Sequence, residues 1–270
     1  MSFRFFLRYT IILILSIGFV LSCSSDDEIV VEPTAPPTNV DRSANQRQLG
    51  EAANDILSAD TYRSLTLEIV SVAGFEPDQE SVDQLVAFIK ERTFKPDGVE
   101  VRKRTIATSD LDSLTIEQVA EIEFDNRMEF NSDDNLAIYV YFADKDSDET
   151  SDEGIVLGSA YLNTSMVIYQ KTLQDLARKA QGRLPLPIIE SATLQHEFAH
   201  LMGLVNVGTD PVNPEHEDQA AEGHCNVDNC LMLAVVEFGN PDSMMEMLEN
   251  DGIPNLDEEC IRDLRANGGR

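Results

Sequence analysis

The chain has 270 residues, a formal net charge of −29 from 49 acidic and 20 basic side chains, and a hydrophobic content of 42%. That apolar share supports a packed core and excludes wholesale disorder. The charge, with no cluster of Lys and Arg to offset it, excludes a nucleic-acid partner and fits a soluble exported protein.

The first 22 residues read as a processing segment: Arg4 and Arg8 make a basic start, and "YTIILILSIGFVLS" is an apolar run. The run is shorter than the about 20 residues that span a bilayer. Its end, "VLSC", resembles the lipobox of bacterial lipoproteins, which implies cleavage before Cys23, lipidation of its thiol and a lipid anchor rather than a membrane span. Residues 23–43, rich in Ser, Asp, Pro and Thr, read as an extended flexible tether. The acidic patch directly after Cys23 resembles the surface-export signal of Bacteroidetes lipoproteins, which implies an outer-membrane lipoprotein exposed at the cell surface.

From Ala44 the pattern is globular. Leu49, Ala52, Ala53, Ile56 and Leu57 are spaced for a helix over 44–58. "RSLTLEIVSVAG" alternates apolar residues as a strand does, with Gly74 closing it. Val82, Leu85, Val86 and Ile89 predict an amphipathic helix with Asp78 as N-cap. "GVEVRKRTIA" reads as a second strand, and Thr115 before Gln118 has the spacing of a capping box that opens a helix through "SLTIEQVAEIEFDNRMEF". "NLAIYVYFA" is apolar enough for a strand buried on both faces. This alternation points to an α/β fold with right-handed crossovers. "IVLGSAYLNTSMVIYQ" adds two short edge strands broken at Gly158 and Asn163, "TLQDLARKA" is helical, and "IIESATLQHEFAHLMG" is the next helix. Beyond Gly203 the chain is irregular until helical spacing returns in "DSMMEMLEN" and "DEECIRDLRA". The acidic loop "DKDSDETSDEG" does not support calcium, because an EF-hand loop needs Gly sixth and Glu twelfth, where Glu149 and Ile155 stand; it reads as a solvated hairpin loop.

All four histidines lie between His196 and His224. On a helix, residues four apart share a face, so His196 and His200 can place imidazole nitrogens on one zinc ion at about 2.0–2.1 Å. Glu197, about 100° round the axis, can reach a water held by the ion without ligating it. This is the arrangement that metal-assisted hydrolysis needs, with Glu197 as general base and then acid. The flanking Leu194, Phe198, Ala199, Leu201 and Met202 bury the helix, so its polar residues need partners.

"HEFAHLMG" followed by a later methionine resembles the metzincin clan of zinc peptidases, whose pattern is HExxHxxGxxH or D with a Met-turn. The resemblance implies an α/β zincin-like sandwich with a twisted mixed sheet and an active-site helix over 44–205, and a small irregular C-terminal subdomain over 206–270. Gly203 is expected to end the helix in a left-handed conformation. The usual third-ligand position is Asn206, a neutral amide expected to shape the turn instead. "GHCNVDNCLM" is similar to the His-Cys-x4-Cys-x-Met segment of archaemetzincins, which implies an insertion of about 18 residues, His224 as third ligand and Met232 as the Met-turn residue. His216, in "PEHEDQ", is the alternative ligand. Archaemetzincins use further cysteines for a second metal; only Cys260 follows here, so one catalytic zinc is expected. Cys225 and Cys230 are then the candidate disulfide, with Cys260 as an alternative partner. Ala234 replaces a tyrosine found in some metzincins. By fold analogy "GSAYLNTSMVIY" is the strand on which a peptide substrate would pair. The combined expectation is a monomeric, lipid-anchored zinc peptidase acting on peptide or protein outside the cell. The alternative is a catalytically silent binding or adhesion lipoprotein on the same scaffold.

Overall fold

The computed structural model describes residues 36–37, 40–151 and 154–270. The leader, Cys23 and the tether as far as residue 35 lie outside them. Among the described residues no helix is long and apolar enough to cross a membrane.

A short helix α1 (Ala53–Leu57) leads to β1 (Ser64–Val72), α2 (Gln79–Arg92), β2 (Gly98–Ile106) and the brief β3 (Ser113–Leu114). Next come α3 (Ile116–Asn126), β4 (Asn135–Phe142), and the brief β5 (Asp146–Ser147) and β6 (Ile155–Val156). The hairpin β7 (Gly158–Leu162) and β8 (Ser165–Ile168) precedes α4 (Gln170–Lys179) and α5 (Leu186–Leu201). An irregular stretch then holds β9 (Phe238–Gly239), followed by α6 (Pro241–Asp251) and α7 (Glu258–Ala266).

The main sheet is mixed and mostly parallel, in the order β2-β1-β4-β8-β7, with only the outer β7 antiparallel. Side chains of successive strand residues point to opposite faces. Leu67, Ile69, Ile138, Val140 and Ile168 therefore enter one core with α2, α4, α5 and the C-terminal helices. Val70, Tyr139, Tyr141 and Val167 enter a smaller one roofed by Val119 of α3. This second face also holds ion pairs with complete partners. Arg127 is 2% exposed, and its guanidinium donates to Glu123 Oε1 at 2.7 Å and to the Ala137 carbonyl at 2.7 Å. Asp78 caps α2 by accepting from the Glu80 amide, and Thr115 with Gln118 forms the reciprocal capping box of α3.

Two expectations are corrected. The helix over 44–58 reduces to a 3-10 turn at Ser43–Asn45 and α1. Gly50 interrupts it with φ +83, and a Cβ there would lie 2.1 Å from the Val207 carbonyl oxygen, so the chain turns to pack on the loop after α5. β1 is buried on both faces, Leu67 and Ile69 packing with α2 and α5 and Val70 with Val119 of α3. The acidic loop is no free hairpin: β5 pairs in parallel with β3, and Asp146 binds Lys171 at 2.5 Å and accepts from Thr172 at 2.7 Å on α4.

Candidate metal centre

Helix α5 is buried on nearly all sides, and Pro187 sits in its first turn, where a missing amide proton costs no helical hydrogen bond. Its end is a Schellman motif, with Gly203 N donating to His200 O and Leu204 N to Ala199 O. Gly203 has φ +87, and a Cβ would meet Thr209 Oγ1 at 2.7 Å. Nothing but glycine fits there.

Each of three imidazoles is turned by a backbone carbonyl. His196 Nδ1 lies 2.7 Å from Leu231 O, His200 Nδ1 3.1 Å from Leu204 O, and His224 Nδ1 3.1 Å from Glu222 O. A carbonyl only accepts, so each Nδ1 carries the proton and donates it, which leaves Nε2 with its lone pair. The Nε2 atoms of His196 and His200 face each other at 3.1 Å, and His224 stacks on His196 with ring centroids 5.3 Å apart. Burial pushes the His196 imidazole down to about 4, so it stays neutral. Buried lone pairs converging on one point suit a cation between them. The donor set, three imidazole nitrogens and an oxygen, suits zinc.

The oxygen belongs to Glu237, which the sequence reading did not single out. Its Oε2 lies 2.7 Å from His224 Nε2, 3.5 Å from His200 Nε2 and 3.6 Å from His196 Nε2. The available signal was an isolated acid in an otherwise apolar run, "LMLAVVEFG".

Glu197 is completely buried, and neither carboxylate oxygen has a hydrogen-bond partner. Burial and then the charge of Glu237 push it well above the usual range. Gly158, at the start of β7, is why the strand can pass so close: a Cβ would lie 2.8 Å from both Glu197 Cγ and Oε1. A cleft of roughly 350 Å³ opens beside Glu237, lined by Ser147, Ser159, Tyr169 and Phe238 among others.

No protein-family model matches the sequence, and no curated protein matches it. Among solved structures, the chain is similar to archaemetzincin from Methanopyrus kandleri, with a TM-score of 0.48 and 17% identity over 76% of this chain and 96% of that one. It is also similar to metalloproteinase-II from Bacteroides fragilis, with a TM-score of 0.39 and 12% identity over 78% of this chain and 55% of that one. Neither likeness assigns a role to any residue here; the chemistry rests on the side chains in place.

The remaining candidates fall around this centre. His216 lies outside the cluster, buried against Asp263 of α7 with Nε2 3.5 Å from Oδ2. Asn206 takes φ +60, and its amide donates to Glu217 Oε2 at 2.9 Å, while Glu217 Oε1 accepts from the Gly223 amide at 3.0 Å. That chain of bonds holds the inserted loop just ahead of His224. Met232 is fully buried, next to the Leu231 carbonyl that orients His196.

The expected disulfide is replaced by a different arrangement. Cys225, Cys230 and Cys260 are free thiols, and their sulfurs gather with a carboxylate oxygen of Asp257 into a second four-ligand cluster. The sulfurs of Cys230 and Cys260 are 3.8 Å apart, and Cys225 Sγ is 3.0 Å from Asp257 Oδ2. A tetrahedral zinc with bonds of about 2.3 Å spaces its sulfurs about 3.8 Å apart, so the geometry fits an ion. Asp257 uses its other oxygen to cap α7, accepting from Glu259 N at 2.6 Å. Its spacing to Cys260, "DEEC", was the sequence signal available.

Proposed function

We propose that the protein is a zinc-dependent peptidase, held outside a bacterial cell by lipid on Cys23. The observation that carries the reading is the trio His196, His200 and His224, each proton committed to a carbonyl and each Nε2 turned to one point, beside the partnerless carboxylate of Glu197. His196, His200 and His224 would hold a zinc ion, which would supply Lewis acidity to a scissile carbonyl and acidify an attacking water. Glu197 takes a proton from that water at a carboxylate oxygen and passes it to the leaving amine nitrogen. Its freedom from protein donors leaves its lone pairs available for this. β7, the outer strand of the sheet, offers unpaired backbone groups to an extended peptide. The cysteine cluster holds a second, structural ion that fixes the loop bearing His224. The anchor and its location are supported by the "VLSC" pattern and the acidic residues after it.

One observation favours a second reading, a catalytically silent metal centre on a surface binding protein: Glu237 stands where a fourth ligand would close the site. The test is Glu197→Ala. Zinc content by mass spectrometry should stay unchanged, while chelator-sensitive cleavage of casein or a peptide library falls by about 10²–10⁴-fold. Undiminished cleavage by that variant overturns the role of Glu197.

A further inference from the structure

Glu237 and the two residues after it do more than border the cleft. The Leu157 amide donates to the Glu237 carbonyl at 2.8 Å, and β9 pairs antiparallel with β6, Ile155 opposite Gly239 and Val156 opposite Phe238. β6 leads directly into β7, so this short pairing covers the strand edge upstream of Glu197. Phe238 sets its ring edge-on to His224, with centroids 5.4 Å apart. The backbone of this segment thus covers the edge of β6, and its carboxylate enters the imidazole cluster.

We propose that Glu237 is a fourth ligand of the ion, so that the resting centre is closed and opens only when Glu237–Gly239 leaves β6. The inference rests on the metal-dependent reading of the histidine cluster. A tetrahedral ion with bonds of about 2.0–2.1 Å holds its ligand atoms about 3.3 Å apart. The spacings here, 3.1 Å between His196 and His200 and 2.7, 3.5 and 3.6 Å from Glu237 to the three imidazoles, straddle that value. Hydrogen bonding does not explain the closest imidazole pair: with each Nδ1 proton donated to a carbonyl, His196 and His200 turn bare Nε2 atoms to each other at 3.1 Å. Zinc sites that hydrolyse keep three protein ligands and an open position. Closing that position with an internal carboxylate makes the resting enzyme latent, and because β6 and β9 are two residues each, few backbone bonds oppose its release.

X-ray absorption on the zinc-loaded wild-type chain tests the ligand directly, and is expected to show three imidazoles and one carboxylate beside the sulfur shell of the cysteine-bound ion. Wild type and Glu237→Gln are then loaded with Co(II) and titrated with azide, followed by the visible spectrum. If the open form is a tenth of the wild-type population or less, azide binds the variant at least about tenfold more tightly, and peptide cleavage rises by a similar factor. A wild-type spectrum without a carboxylate, or equal azide affinities, overturns the ligand assignment and leaves the peptidase reading standing. An open variant that cleaves nothing supports the ligand assignment and removes the peptidase reading.

Discussion

The two four-ligand clusters are fed by consecutive residues, His224 and Cys225, yet they differ in donor chemistry and in setting. Around Cys225, Cys230, Asp257 and Cys260 the donors are mostly thiols, drawn from one loop and the first turn of α7, with Asp257 also spent on a helix cap. Around His196, His200 and His224 the donors come from a rigid buried helix and a loop, with a cleft and a partnerless carboxylate alongside. Soft donors in a closed shell suit an ion that never leaves or reacts; imidazoles beside a cleft suit one that must meet a substrate. Adjacency in the chain couples the two, since fixing Cys225 fixes the neighbouring His224.

That coupling gives the largest expected effect. Cys260→Ala should remove one equivalent of zinc per chain by elemental analysis and cost at least about 4 kcal/mol in denaturant unfolding, since loss of a metal is among the few single changes that reach this size. It should also weaken metal at the histidines, whereas His200→Ala should leave the cysteine-bound equivalent in place. Retention of both ions by Cys260→Ala breaks the comparison.

The histidine-bearing helix carries a second buried acid that isolates scaffold from chemistry. Glu190 has the partners Glu197 lacks, accepting from Gln170 Nε2 at 2.6 Å and the Asp78 amide at 2.8 Å. Burial nevertheless pushes it up to about 7 from its ordinary 4.5. Between these values the native state binds more proton than the unfolded chain, so stability falls as pH rises from about 4.5 to about 7 and then levels, by an order of 3 kcal/mol. Glu190→Gln should flatten that slope in unfolding measured across pH. A slope of the same size in the variant assigns it to other groups.

Gly158→Ala sharpens the difference between binding an ion and using it. The three atoms nearest its Cβ all belong to Glu197, at 2.8, 2.8 and 3.0 Å, so turnover should fall by about 10²-fold while zinc content holds. The smallest effect is expected at Asn206→Ala, which loses the bond to Glu217 and an amide suited to its left-handed backbone, costing about 1 kcal/mol by chemical denaturation. A loss of metal there, with no change in stability, would instead mark Asn206 as a ligand.

What the sequence determined by itself is what short-range periodicity can carry. Alternation located β1 and a 3.6-residue spacing α2, a continuous apolar run marked β4, and a capping-box spacing opened α3, because each of these signals lies within a few neighbouring residues. The same helical repeat placed His196 and His200 on one face with Glu197 beside them. Tertiary structure alone decided the partners. Glu237 reaches the imidazoles through the pairing of β6 with β9, across a separation of more than eighty residues. Asp257 and Cys260 meet Cys225 and Cys230 because α7 starts against their loop. Gly50 broke a helix that propensity favoured, by packing on Val207. Each of these depends on where distant backbone passes, and a contact made by chain reversal leaves no period along the sequence.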